Sequence, residues 1–262
     1  MKLSRTDLLK NSNYKESLES LLGLAEQAFK DFHPIWSPFI AAPILQEVSN
    51  IFDQLTEINC KQYGGFNGAE RKRILFQRNF DSETLKPTNI PIIGIQVSGN
   101  FLFDPTSPRD FLNDLKNQGI TEENIGDIWI IGDRGAQLFC TPEAGDYLNK
   151  KESSIRTVKI KYESIKIDQL RLPHQRKSRK ITTVEASKRL DAIASAGFGI
   201  SRSKIANDVK QRKLRLNWVE AISNSQLLKE GDQIQLLGKG SLKILSMQIT
   251  KKERWKIELL RE

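Results

Sequence analysis

An α+β chain in three parts is expected from the way apolar residues and charge are distributed along this 262-residue sequence. Near the N-terminus apolar residues recur at helical spacing. The middle alternates short apolar runs with two helical stretches. The last third changes in charge as well as pattern: two short amphipathic helices, a basic turn and a β-hairpin follow one another. That length suits two or three small domains better than one core.

The first part, residues 1–85, reads as a mainly helical unit. Leu18, Leu21, Leu22, Ala25, Ala28 and Phe29 give one helix a buried face. Pro34 and Pro38 interrupt it, and Ile44, Leu45, Val48, Ile51, Phe52 and Leu55 predict a second helix over Phe39–Leu55. The glycine-rich run Tyr63-Gly64-Gly65-Phe66-Asn67-Gly68 then reads as a tight turn leading into a strand.

Residues 86–165 predict β-α-β-β-α-β. The strands are Ile90–Val97, Ile128–Ile131, Gln137–Cys140 and Val158–Tyr162, and the helices are Pro108–Gln118 and Pro142–Asn149. Gly132-Asp133-Arg134-Gly135 supplies a hairpin turn, and Pro142 sits where a first helical turn favours it. This order gives a ferredoxin-like sandwich, the fold that RNA-recognition motifs also use. Gly135-Ala136-Gln137-Leu138-Phe139-Cys140 holds one aromatic where base stacking wants two or three, so the fold is expected without that binding mode. Residues 166–186, which include Arg171-Leu172-Pro173-His174-Gln175-Arg176-Lys177-Ser178-Arg179-Lys180, read as a basic linker.

Charge follows the same division. The chain holds 41 Lys and Arg against 32 Asp and Glu. From Arg171 onward there are 21 basic and 9 acidic residues, a net of +12, against −3 for residues 1–170. So uneven a split points to a polyanion-binding unit on a near-neutral body, because basic side chains gain affinity by displacing counterions from phosphates. Other classes recede. No apolar run nears the roughly 20 residues that span a bilayer, and the first residues lack a signal-peptide core. Cys60, Cys140, His33 and His174 show no ligand spacing. No metal, cofactor or disulfide is expected, and the expected compartment is the cytoplasm, or the plastid stroma in a plant.

The C-terminal unit, residues 187–262, is the most readable. Leu190 and Ile193 face inward on a first helix that ends at Gly197-Phe198-Gly199. Ser201 is an N-cap for a second helix whose Ile205 and Val209 point in while Ser203, Asn207 and Lys210 point out. Arg202 adds charge where helix amides already favour phosphate. Lys213-Leu214-Arg215-Leu216-Asn217 alternates as a strand, Gly231 to Leu236 returns it, and Lys239-Gly240-Ser241-Leu242-Lys243 reads as a basic turn.

Residues 188–245 resemble an S4-type RNA-binding domain. The resemblance rests on Arg189-Leu190-Asp191, Ser201-Arg202-Ser203, the basic turn into Leu216-Asn217, and Glu230-Gly231-Asp232. Upstream, Tyr63-Gly64-Gly65-Phe66, Gly68-Ala69-Glu70-Arg71-Lys72-Arg73, Arg109-Asp110-Phe111-Leu112 and Gly135-Ala136-Gln137 resemble the YlmH-like family of bacterial S4 proteins. That family includes the cyanobacterial and plastid group called photosystem II S4 domain protein. The resemblance spans nearly the whole chain. It implies a protein that binds rRNA or tRNA on the large ribosomal subunit, in translation or in rescue of stalled subunits; a monomer without catalytic activity is expected. Two positions depart from it: Pro108 stands where many relatives have His, and Trp218 where many have Gly.

The RNA-binding candidates are Lys188, Arg189, Ser201, Arg202, Ser203, Lys204, Asn207, Lys210, Arg212, Lys213, Arg215, Asn217 and Lys239. Secondary candidates are Arg71, Lys72, Arg73, Arg109, Arg176, Lys177, Arg179 and Lys180; for Arg71 to Arg73 a solvated strand edge stands equally open. Trp218 is either a stacking surface or a packed ring. Two enzyme classes attach catalysts to S4 domains. A pseudouridine synthase would want Thr and Gly where Ala194 and Ala196 stand, and a methyltransferase would need a glycine-rich nucleotide loop after a strand. A role as an interaction factor in photosystem II biogenesis has only the group's name behind it.

Overall fold

A computed structural model describes residues 9, 12, 14–52, 54–79, 90–173 and 178–262. It divides into two compact units, residues 1–173 and 174–262.

The first unit opens with helix α1 (Lys15–Asp31), which buries Leu18, Leu21, Leu22, Ala25 and Ala28 as its spacing requires. It ends at Phe32, in the left-handed region at φ 58°. Strand β1 (Ile35–Trp36), helix α2 (Ala42–Phe52), β2 (Ile58–Tyr63) and β3 (Arg73–Arg78) follow. The strands form an antiparallel sheet in the order β1-β3-β2, which adds β1 and β2 to the expected helices and strand. β2 carries no period-two burial, since after Ile58 every residue is half-buried, so nothing in its residues alternates as a strand would. The glycine turn is thus the connection of the β2–β3 hairpin. Phe39 precedes α2 rather than starting it; its amide donates to the Glu123 carbonyl at 2.7 Å.

Next come β4 (Ile93–Ser98), α3 (Pro108–Asn117), β5 (Ile125–Ile130), β6 (Gly135–Cys140), α4 (Pro142–Leu148), β7 (Glu152–Ile155) and β8 (Val158–Ile165). The sheet order is β5-β6-β4-β8-β7, all antiparallel. Without β7 this is the ferredoxin-like order. β7 adds an edge strand the sequence did not announce. Pro108 stands at the start of α3, behind Ser107, whose amide and hydroxyl both donate to the Asp110 carboxylate. One sheet face packs on α3 and α4 through Ile95, Val97, Phe111, Leu115 and Leu138. Asp114, buried on α3, accepts from Ser153 at 2.7 Å and from Tyr162 and Gln118, which ties the helix to β7 and β8.

The second unit is an antiparallel sheet of six strands over two helices. Its elements are β9 (Arg179–Glu185), α5 (Leu190–Phe198), α6 (Arg202–Lys210), β10 (Leu214–Leu216), β11 (Val219–Glu220), β12 (Gln233–Leu236), β13 (Gly240–Ile249) and β14 (Trp255–Arg261). The order is β11-β10-β12-β13-β14-β9. Leu190, Ile193, Phe198, Ile205 and Val209 meet Leu214, Leu216, Ile234, Leu236, Leu242, Ile257 and Leu259 in one core. Gly199 caps α5 at φ 68°, as its sequence predicts. Gly197 matters for its missing side chain instead. A Cβ there would lie 2.4 Å from Leu242, so glycine lets α5 sit close on the sheet.

The expected linker is not a free tether. Leu170 is buried with the first unit's aromatic residues, and Arg179 to Glu185 form β9, paired along its length with β14. The basic turn is also shorter than expected, because Gly240 already begins β13.

Candidate nucleic-acid interface

In the second unit the candidate residues gather at the two ends of α6, a nine-residue helix about 12 Å long at 1.5 Å per residue. At its N-terminus the Ser201 hydroxyl accepts from the Lys204 amide at 3.2 Å and contacts the Ser203 hydroxyl at 3.0 Å. The Arg202 and Ser203 amides have no acceptor among the described residues, as is usual for a first helical turn. Arg202 donates to Glu185 at 3.2 Å and remains half-exposed, and Lys204 pairs with buried Asp208 at 3.3 Å. Amides, hydroxyls and two exposed cations therefore converge on one helix end, where the dipole also favours an anion. Asn207 and Lys210 lie exposed along the same helix.

At the C-terminal end of α6, Lys210, Arg212 and Lys213 are exposed, and the Leu237 amide donates to the Lys213 carbonyl. That bond brings the turn holding Lys239 alongside. Arg212 lies 3.8 Å from Glu220. Arg215 is exposed on β10, on the sheet face away from the helices, where Lys180 and Lys243 also project. Arg179 is exposed at the start of β9.

The start of α5 is different. Its Leu190 and Asp191 amides donate to the Gln226 and Asn224 carbonyls, so a loop already fills that helix end. Arg189 is turned onto Asp191 through two bonds of 3.0 and 2.9 Å, and those bonds hold the Asp191 carboxyl below the usual carboxylate range. Lys188 lies over the Trp255 ring at 4.5 Å.

Asn217 is occupied within the fold. Its amide donates to Asp232 at 2.9 Å and its carbonyl accepts from the Gln233 amide at 2.9 Å. Asn217 and Trp218 both have positive φ, 48° and 71°, between the paired residues Leu216 and Val219. This is the geometry of a two-residue hairpin turn that favours Asn-Gly. A glycine at position 218 would adopt it freely; here the Asn217 side chain holds the turn around a half-buried tryptophan.

In the first unit Arg71 donates to the Ile125 and Glu122 carbonyls at 2.7 Å each, with Glu122 at 4.0 Å. Arg73 donates to the Ser37 and Pro91 carbonyls at 2.7 and 2.6 Å and lies beside the Trp36 ring. Burial pulls both guanidiniums below their ordinary pKa. Both are internal braces. Lys72 is half-buried beside them, bridged to Ile40, while Arg109 is exposed on α3. Arg176 and Lys177 lie outside the described residues.

The single aromatic of β6 is also committed. Phe139 has no exposed surface, stacks on Phe66 with centroids 6.1 Å apart and touches Trp129 at 5.3 Å. Gly65, at φ 88°, presses on it so closely that a Cβ would come within 2.6 Å of the ring. The glycine turn of the N-terminal hairpin thus covers the place where a base would stack. No local signal in the sequence placed Gly65 opposite Phe139.

Among the described residues no group of three or more His, Cys, Asp and Glu side chains could hold a metal ion, and no helix is long and apolar enough to cross a membrane. Burial pushes the Cys140 thiol up to about 12.

Comparison with known proteins matches residues 13–79 to a family model described as "YlmH, N-terminal", 89–169 to "Putative RNA-binding domain in YlmH", and 188–234 to "S4 domain". The chain is similar to the ribosome-associated protein quality control protein P2 of Bacillus subtilis strain 168, at 24% identity over 200 residues and 76% of each chain. Among solved structures it resembles the cell division protein ylmH from Streptococcus pneumoniae, at 20% identity and a TM-score of 0.46 over 60% of this chain and 94% of that one. With matches to both YlmH models and the S4 model in this order, the chain belongs to the YlmH-like family of S4-domain proteins.

Proposed function

We propose that this chain is a non-catalytic RNA-binding protein that recognises structured rRNA or tRNA on the large ribosomal subunit, acting as a monomer in translation or ribosome rescue. The observation that carries the reading is the N-terminus of α6. Open amides, the Ser203 hydroxyl and the exposed Arg202 and Lys204 cations meet there, in a stretch whose net charge is +12. Phosphate oxygens suit every one of these groups. At the other end of α6, about 12 Å away, the exposed Lys210, Arg212 and Lys213 add cations for further phosphates. The similar Bacillus subtilis protein, named for ribosome-associated quality control, supports the ribosome as the place of action. No observation favours a photosystem role.

Co-sedimentation with separated ribosomal subunits over a salt series tests this. Retention on the large subunit that falls steeply with salt, at about 0.9 in log–log slope per duplex phosphate contact, is the expected result. Release from both subunits at low salt would overturn it.

A further inference from the structure

Beyond the second unit's helix ends, the first unit holds a cleft of about 580 Å³ on the face of the ferredoxin-like sheet opposite its helices. Its floor is Gln96 and Gln137, paired across β4 and β6, with Ser98 beside them. Arg134, in the β5–β6 hairpin, and Arg171 also line it. The backbone around both arginines is held. The Arg171 amide donates to Gln137 at 2.7 Å and its carbonyl accepts from the Trp129 indole at 2.9 Å. The Arg134 amide donates to the Ile131 carbonyl, and its own carbonyl accepts from Gly99. Neither guanidinium has a hydrogen bond or ion pair among the described residues, in contrast to Arg71 and Arg73 in the same unit.

The floor is polar but uncharged. Gln137 donates to Gln96 at 2.6 Å, and the Gln96 amide nitrogen donates through two long bonds of 3.4 Å, to the Val97 and Ala136 carbonyls, which a better-placed ligand acceptor would replace. Glu163, the β8 neighbour of Gln96, is neutralised by Lys161 at 2.6 Å. We infer that this cleft binds a short stretch of single-stranded RNA, with Arg134 and Arg171 on its phosphates and the Gln96 amide and Ser98 hydroxyl on base or ribose edges. A polynucleotide alternates charge with donors and acceptors, as the cleft does. An A-form duplex is too wide for a cleft of this size, which matches small-ligand sites. Stacking on Phe139 is closed off by Gly65 and Phe66, so recognition here proceeds through polar groups. This deepens the RNA-binding reading and rests on it.

The test uses the full chain carrying Arg202→Glu and Lys204→Glu, so that the helix surface of the second unit is disabled. Its affinity for a fluorescein-labelled octaribonucleotide of randomised sequence is read by anisotropy, before and after adding Arg134→Gln and Arg171→Gln. Residual binding that weakens about tenfold, with a salt slope lower by about 1.4 for two single-strand contacts, supports the cleft. Residual binding untouched by the glutamines, or no residual binding at all, overturns it and leaves the α6 reading standing. Undiminished subunit binding by the Glu variant would instead sink the α6 reading, with the arginine arm still judging the cleft. Both arginines are exposed, so folding should persist, checked by circular dichroism. Photocrosslinking of a 4-thiouridine octamer to the unaltered chain gives an independent readout, expected at residues 96–99 and 131–137; crosslinks confined to residues 188–243 would count against the cleft.

Discussion

Arg71 and Arg202 lie in equally basic stretches of the chain, yet the two units use them in opposite ways. Arg71 is drawn inward, with its guanidinium spread over backbone carbonyls from the segment leading into β5. Arg202 stays out, held by one carboxylate at the edge of its unit. The same division separates the aromatics: Phe139 is sealed under a glycine turn, whereas Trp218 rides half-exposed on a hairpin. Charge along a sequence gives the number of cations. Only the supply of buried carbonyl acceptors decides which of them serve the fold and which remain for a partner.

The sharpest way to break this contrast is Phe139→Ala. Removing a fully buried ring that touches Phe66 and Trp129 should cost the first unit about 3–5 kcal/mol, measured by urea denaturation, while the salt slope of subunit binding stays constant. A loss of slope without a loss of stability would show the ring to be a binding surface after all. Arg71→Ala should cost about 3 kcal/mol, because two charge-assisted bonds disappear and two carbonyls lose their donor. If instead stability holds and RNA affinity drops, the brace reading fails.

Arg202→Glu with Lys204→Glu should weigh on binding first. Stability should fall by about 1–2 kcal/mol, since the buried Asp208 and the Glu185 carboxylates lose their partners, while the chain stays folded and affinity for the large subunit falls by at least about tenfold, or 1.4 kcal/mol. The smallest effect concerns Asp191. Its folded pKa lies below the ordinary 3.8 because Arg189 donates to it. The stabilisation is therefore complete above the unfolded value and is lost as pH falls below about 3.8, through the folded value. With Arg189 two-fifths exposed, the effect should reach about 1 kcal/mol at most. Melting curves at pH 7 and pH 3 should differ less for Asp191→Asn than for the unaltered chain.

The helices and the strands of the ferredoxin-like order were the legible part of this sequence. Leu18, Leu21, Leu22 and Ala25 marked α1, and Ser201 with Ile205 and Val209 marked α6, because a helix buries one face at a fixed period. The strands β7, β13 and β14 were not legible. A bulge between Ile244 and Ser246 shifts the alternation of β13 partway along, and β14 has meaning only beside β9 and β13. The groups of the α6 cluster lie within four residues, so their proximity was legible; their role stays a proposal. The internal bonds of Asn217 were not legible, because their partners, Asp232 and Gln233, are supplied by a distant turn. The same holds for Arg71, whose acceptors are fifty residues away, and for Arg134 and Arg171, which no motif joins.

One consequence follows from the placement of β9. It is the first strand of its sheet to be synthesised, and its one neighbour, β14, is the last. Until residues 255–261 are made, β9 has no strand to pair with. A chain released before Trp255 would present two open edges, β9 and the outer side of β13, each a template for pairing with another chain. Completion of the second unit thus depends on translation running through residue 261, and an interrupted chain would be marked by its exposed edges as unfinished.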